Sequence, residues 1–243
     1  MKLHKIASLI LLVGVLNAPF TQLFAEYDEK EHSSELKYVR YTLQQIIDNN
    51  LRYRENFKEH VPESSLIKQT PDATLILCSD SRIDSAAINE KPAGELFVIR
   101  NIGNQMLTAV GSVEYGVDHL HTPMLLVVGH SECGAIKAAM GDFSGQSASL
   151  RKELSTLNLD PKATLNDNII KNINNQVKYA LSDFKHKLED KELVVIGMVY
   201  DLHNDFKFGE GKLIVVNING ETDPKVLAKN QYVAGLKHLQ FLH

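Results

Sequence analysis

Two short segments hold most of the residues that could do chemistry: Leu75–Arg82, Leu-Ile-Leu-Cys-Ser-Asp-Ser-Arg, and Gly129–Gly134, Gly-His-Ser-Glu-Cys-Gly. In each, an apolar run ends abruptly in residues that titrate or bind metals. Cys78, His130 and Cys133 offer two thiols and an imidazole, the donor set that Zn²⁺ favours, and they use both cysteines of the chain. Cys133 stands at the predicted start of a helix, where unpaired backbone N–H groups favour the thiolate, as a metal does. Asp80 and Arg82 follow Cys78 at steps of two, so an extended segment points all three to one side. Two roles are open to Asp80. It can be the fourth ligand of a closed site, or it can pair with Arg82 and leave that position to water. Water on zinc, with a pKa near 7, is a nucleophile at physiological pH. A Cys78–Cys133 disulfide is the rival expectation, though it has no use for His130, Asp80 or Arg82.

Such a cluster needs strand ends that converge, and the hydrophobic pattern supplies them. Thr74–Leu77, Leu96–Ile99, Met124–Val128 and Leu193–Val199 are apolar on both alternating faces, the mark of strands buried on both sides of a parallel sheet. Leu213–Ile218 follows the fourth through a turn-rich link and is expected to be antiparallel at the edge. Helical spacing is predicted at Leu36–Leu51, Ile83–Glu90, Met106–Leu120, Leu150–Leu157, Ile169–Leu188 and Lys225–Leu242. The expectation is an α/β fold: four parallel strands plus an antiparallel edge strand, flanked by helices, with an N-terminal helical arm. Ligand crevices in such sheets lie at the carboxyl ends of the strands. His119 and His121, at the end of the Met106–Leu120 helix, read as surface or helix-end residues.

The Cys-Ser-Asp-Ser-Arg segment at 78–82 and the His-x-x-Cys-Gly segment at 130–134 resemble the two signature motifs of the beta-class carbonic anhydrases. The similarity extends through Gln69-Thr70-Pro71, Gly94–Asn101, Gly111–Val117, Asn172-Ile173 and Gln176-Val177, roughly residues 35 to 220. The resemblance implies zinc held by Cys78, His130 and Cys133, a gating pair of Asp80 and Arg82, and reversible hydration of CO₂ to bicarbonate. It further implies that Gln69 and Phe97 border the substrate pocket, Gln69 across a subunit interface, in a homodimer or homotetramer. Some members of that family are regulated through a bicarbonate pocket that includes tryptophan, and this chain has none. A zinc hydrolase acting on CS₂ or COS is the alternative on the same fold, and a non-catalytic zinc or bicarbonate-binding protein the alternative from another class.

The chain has 243 residues, 44% hydrophobic and 23% charged, enough for one substantial core. A net charge of −4 with no basic run argues against nucleic-acid binding. Lys2, His4 and Lys5 precede an apolar run from Ile6 to Leu16 and a polar stretch ending at Ala25, the layout of a secretory signal peptide. The run is short for a membrane span. The expected organisation is a signal peptide at 1–25, a mobile charged spacer at 26–34 and one zinc domain at 35–243. The expected location is the periplasm, with no stable membrane span after cleavage.

Overall fold

The computed structural model describes the backbone of residues 20–242 and side chains from 34 onward. The segment read as a signal peptide, 1–25, lies outside the described residues apart from the backbone of 20–25. The described residues fall into two compact units, divided between Phe57 and Lys58.

In the first unit, helix α1 runs Phe20–Glu55 and passes through 26–34, where the sequence suggests a spacer. No glycine or proline interrupts that stretch, so charge alone does not stop the helix. Its apolar stripe of Leu36, Val39, Leu43, Ile46, Ile47 and Leu51 is exposed on the single chain. Among the described residues, no helix is long and apolar enough to cross a membrane.

The remaining elements are α2 (Phe57–His60), α3 (Glu63–Ile67), β1 (Ala73–Cys78), β2 (Leu96–Asn101), α4 (Val110–Glu114), β3 (Met124–His130), α5 (Gly134–Met140), α6 (Ala148–Ser155), α7 (Leu165–Asp183), α8 (Lys185–Glu189), β4 (Val194–Asp201), β5 (Lys212–Ile218) and α9 (Pro224–Leu227). The strands form one sheet in the order β2-β1-β3-β4-β5. The first four are parallel, and β5 pairs antiparallel with β4 at the edge, as expected. Both faces are covered, which is why these strands show no polar alternation. Ile76, Val127, Val195 and Val199 pack with Ile173 and Val177 of α7 on one face. Leu75, Leu77, Leu126 and Ile196 pack with Leu227 and Val233 on the other.

Helix α7 approaches closely because glycines of two neighbouring strands face it. A Cβ at Gly129 or at Gly197 would lie 2.8 Å from Ile173 side-chain atoms. The capping box of Thr164 and Asp167 starts this helix. It breaks at the buried Phe184 instead of running on to Leu188.

Three helices are shorter than their patterns suggest. Ile83–Glu90 is reduced to a 3-10 turn, Ser85–Ala87, where Asp84 Oδ1 accepts from Ala86 N at 3.0 Å; Asp, Ser and Asn favour such local bonds over helix. Met106–Leu120 begins only at Val110 and ends in a π turn, Tyr115–His119. Of Lys225–Leu242 only the end of α9 is helical; Gly235 and His238 beyond it have φ of 82° and 63°.

Candidate metal centre

β1 and β3 are nearest neighbours, with Leu77 paired to Val128, and each ends in a candidate ligand. The chain leaves β1 for β2 on one side and returns to β3 on the other, so the two carboxyl ends flank a topological switch point. After His130, a tight turn with Glu132 at φ 59° brings Cys133 to the start of α5.

The ligand atoms of Cys78, His130 and Cys133 all lie within 4.8 Å of one another, and all three residues are buried. The Cys78 and Cys133 sulfurs are 3.9 Å apart and both cysteines are free, so the disulfide alternative is not what this fold adopts. A disulfide would need about 2.0 Å. Two thiolates on a tetrahedral zinc at about 2.3 Å would sit about 3.8 Å apart, which fits the observed spacing.

The histidine gives a second, independent test of fit. His130 Nδ1 lies 2.9 Å from the Ser131 carbonyl oxygen, an acceptor, so the proton belongs on Nδ1. That leaves Nε2 with a lone pair, buried and without a partner. Such an atom is costly unless it meets a cation.

The electrostatics favour the same assignment. The hydrogen bond from the Cys133 thiol lowers the Cys78 thiol to about 4 against the opposing effect of burial, with further help from the Gly103 N–H at 3.5 Å. That same bond, and then burial, push Cys133 up. One sulfur is thus a ready thiolate, and a cation would take the proton from the other.

Asp80 is held in a fork. Its Oδ1 accepts from Arg82 Nε at 2.9 Å and from the Arg82 backbone N–H at 3.0 Å, and Oδ2 accepts from Arg82 Nη2 at 2.7 Å. Arg82 holds the Asp80 carboxyl well below the usual carboxylate range. Arg82 Nη2 also donates to the Glu132 carbonyl at 3.1 Å, tying the pair to the ligand-bearing turn.

The structure therefore brings together Cys78, His130, Cys133, Asp80 and Arg82, with Asp80 paired to Arg82. It does not bring in the other two expected residues. Gln69 is exposed in the stretch between α3 and β1. Phe97 lies four residues before the end of β2, about 13 Å down the strand, and its ring packs 5.6 Å from that of Tyr115.

Sequence reasoning passed over two supporting residues. Arg100 donates to the carbonyls of Cys78 (3.1 Å), Asp80 (2.9 Å) and Ile83 (2.7 Å), fixing the segment that carries both ligand and gate. Ser131 accepts from Leu202 N at 2.8 Å through Oγ while its carbonyl faces the His130 ring. An arginine next to the partner of Cys78 on β2 was the available signal for the first. Nothing in the sequence pointed to the second.

A family profile described as carbonic anhydrase matches residues 73–210. Carbonic anhydrase 2 of Mycobacterium tuberculosis is 41% identical over 73 residues, covering 30% of this chain and 35% of that protein. A carbonic anhydrase of Pseudomonas aeruginosa is 38% identical over 106 residues, 40% of this chain and 48% of its own. The chain thus spans about a third to a half of the length of these curated relatives. Among solved structures, a tetrameric beta-carbonic anhydrase of Sordaria macrospora is similar with a TM-score of 0.62 at 22% identity, over 72% of this chain and 97% of that one. The Coccomyxa beta-carbonic anhydrase in complex with acetazolamide gives 0.61 at 23% identity, over 77% and 91%. At these identities the two structures speak for the fold.

Proposed function

This chain belongs to the carbonic anhydrase family, in its beta class, and on that premise we propose that it is a zinc enzyme that hydrates CO₂ reversibly to bicarbonate and a proton. The observation that carries the reading is the buried, partnerless His130 Nε2 beside two sulfurs 3.9 Å apart. Cys78, Cys133 and His130 Nε2 would hold the ion, and the two thiolate charges would balance its own. Zinc held there supplies the Lewis acidity that makes water nucleophilic near neutral pH.

The protein's own residues do the rest. Ser131 keeps the imidazole in the tautomer that exposes Nε2. Arg82 holds Asp80 ionised and fixed in direction, so that Asp80 can accept a hydrogen bond from the attacking water and turn its lone pair toward the CO₂ carbon. An O–C bond forms, one C=O π pair moves to oxygen, and a proton leaves. The same fork supports an open fourth position; Asp80 as fourth ligand would be a closed state that requires breaking it.

Three finer readings belong to the same proposal. The exposed stripe of α1 supports assembly as a homodimer or homotetramer, with Gln69 serving the substrate pocket across the subunit interface and Phe97 bordering that pocket. The layout of residues 1–25 supports export to the periplasm, tested by whether the exported chain begins at Glu26. The pairing of Arg82 with Asp80 supports control of the site by their separation.

The test of the function is zinc analysis together with CO₂ hydration across pH, in the wild type and in Cys78→Ser and His130→Ala. We expect one zinc per chain and rapid hydration, both lost in either variant. Zinc without CO₂ hydration would overturn the enzyme reading, and faster turnover of CS₂ or COS would replace its substrate.

A further inference from the structure

Asn168, Asn172 and Gln176 follow one another at steps of four along α7, and all three are buried beside the apolar Ile169, Ile173 and Val177. A buried amide without partners is costly, so each must find its bonds inside the protein. Asn168 closes the turn before its own helix, through the N–H and carbonyl of Asp160. The other two reach across to the loop that follows β2, residues 102–109.

Gly103 in that loop has φ 77°, which glycine adopts freely, and so turns its N–H and its carbonyl to different partners. The N–H lies 3.5 Å from Cys78 Sγ. The carbonyl accepts from Asn172 Nδ2 at 2.8 Å. Asn172 is braced in turn: Gln176 Nε2 donates to its Oδ1 at 3.0 Å, while Gln176 Oε1 accepts from Met106 N at 2.8 Å. The peptide that carries the Gly103 N–H has the Ile102 carbonyl as its other end, and this accepts from Gln105 Nε2 at 3.0 Å. A bond to that oxygen polarises the peptide and strengthens its N–H as a donor. Gln105 is wholly buried and independently fixed. Asn101, paired with Cys78 in the β1–β2 register, bonds both its backbone N–H and its carbonyl at 2.7 Å. Its side chain also donates to the Glu153 carbonyl at 3.1 Å and accepts from Thr156 Oγ1.

We propose that Gln105 and Asn172 are positioning residues of the metal centre: gripping two successive peptide oxygens, they hold the Gly103 N–H on Cys78 Sγ. Such a bond draws charge from a thiolate and fixes its direction, and thereby tunes the ion that the sulfur holds. The assignment rests on the ligand role of Cys78 and is independent of the CO₂ chemistry.

The experiment is Gln105→Met and Asn172→Leu, which keep the approximate volume and remove the donor, in the full-length chain loaded with cobalt(II) in place of zinc. Without the N–H the sulfur is richer in electrons, so the sulfur-to-cobalt charge-transfer band should move to lower energy in both variants. Zinc affinity, measured by chelator competition, should fall roughly tenfold. Val177→Ala is the control: it removes buried volume from α7 and touches none of these hydrogen bonds, so its thermal midpoint should fall while the band stays. Should either variant fail to fold, Gln176→Met, which removes only the brace of Asn172, should move the band the same way by less. A band or a zinc affinity equal to the wild type in these variants, or a band that moves as far in Val177→Ala, would overturn the assignment while the ligands and the CO₂ reading stand. A wild-type chain that takes up no cobalt would overturn the ligand role of Cys78 as well.

Discussion

Asp80 Oδ2 stands 4.0 Å from His130 Nε2, close to the ligand cluster yet bonded to Arg82 instead. A carboxylate at this point can direct water without joining the ligands. Asp80→Asn keeps the shape and one acceptor but loses the charge-assisted fork. The variant should retain one zinc per chain and lose roughly a hundredfold in kcat. Steady-state hydration with metal analysis decides this, and wild-type kcat in the variant would remove Asp80 from the mechanism.

Arg100 spans the same segment from behind, through three carbonyls. Arg100→Met should weaken zinc binding roughly 10-fold to 100-fold, as removal of supporting hydrogen bonds around a metal does. Arg100→Lys, which keeps the charge but not the planar fork, should recover only part of the loss. Competition with a chromophoric chelator measures both, and equal zinc affinity in all three proteins would show the clamp to be idle.

The two thiols set opposite pH slopes for the metal-free chain. Cys78 is lowered to about 4 in the fold, so between there and the ordinary thiol value of about 8.5 the folded chain holds one proton fewer than the unfolded chain. Stability from this group grows with rising pH across that window and is lost as pH falls toward about 4. Cys133 is raised, so above the ordinary thiol value the unfolded chain gives up a proton that the folded chain keeps, and stability falls again. Urea midpoints of the chelator-treated protein should therefore peak near the ordinary thiol value. In Cys78→Ser the rise should vanish, and a rise that persists there would assign it elsewhere.

Gly129 separates the ligand strand from α7, and a methyl group there would lie 2.8 Å from Ile173, a fully buried side chain. Gly129→Ala should cost about 1–3 kcal/mol through overpacking. Gly111, with nothing within 4 Å of its would-be Cβ, is the control. Gly111→Ala should be neutral or stabilising by about 0.5–1 kcal/mol, because it lies inside α4. Paired denaturation curves test the contrast, and equal effects would mean that α7 can yield.

The sheet and its chemistry were legible in the sequence for one physical reason: strands buried on both faces must be apolar throughout, so any polar residue at their ends stands out. Cys78 and His130 are such residues. What failed were elements whose extent depends on competition between weak local preferences. Asp84 and Ser85 draw the 83–90 segment into a turn, and the 26–34 stretch joins a helix because nothing in it breaks one. Arg100 was visible but mute, since its three acceptors are backbone carbonyls, which every residue has. Ser131 acquires meaning only from the register of β3 with β4, His130 against Tyr200.

Cys78 and Cys133 are 55 residues apart in the chain although their strands touch. At 5–20 residues per second, a ribosome delivers the first on the order of 3–11 s before the second. During that interval the earlier thiol is solitary, and any thiol-reactive encounter in the surroundings competes with its eventual mate.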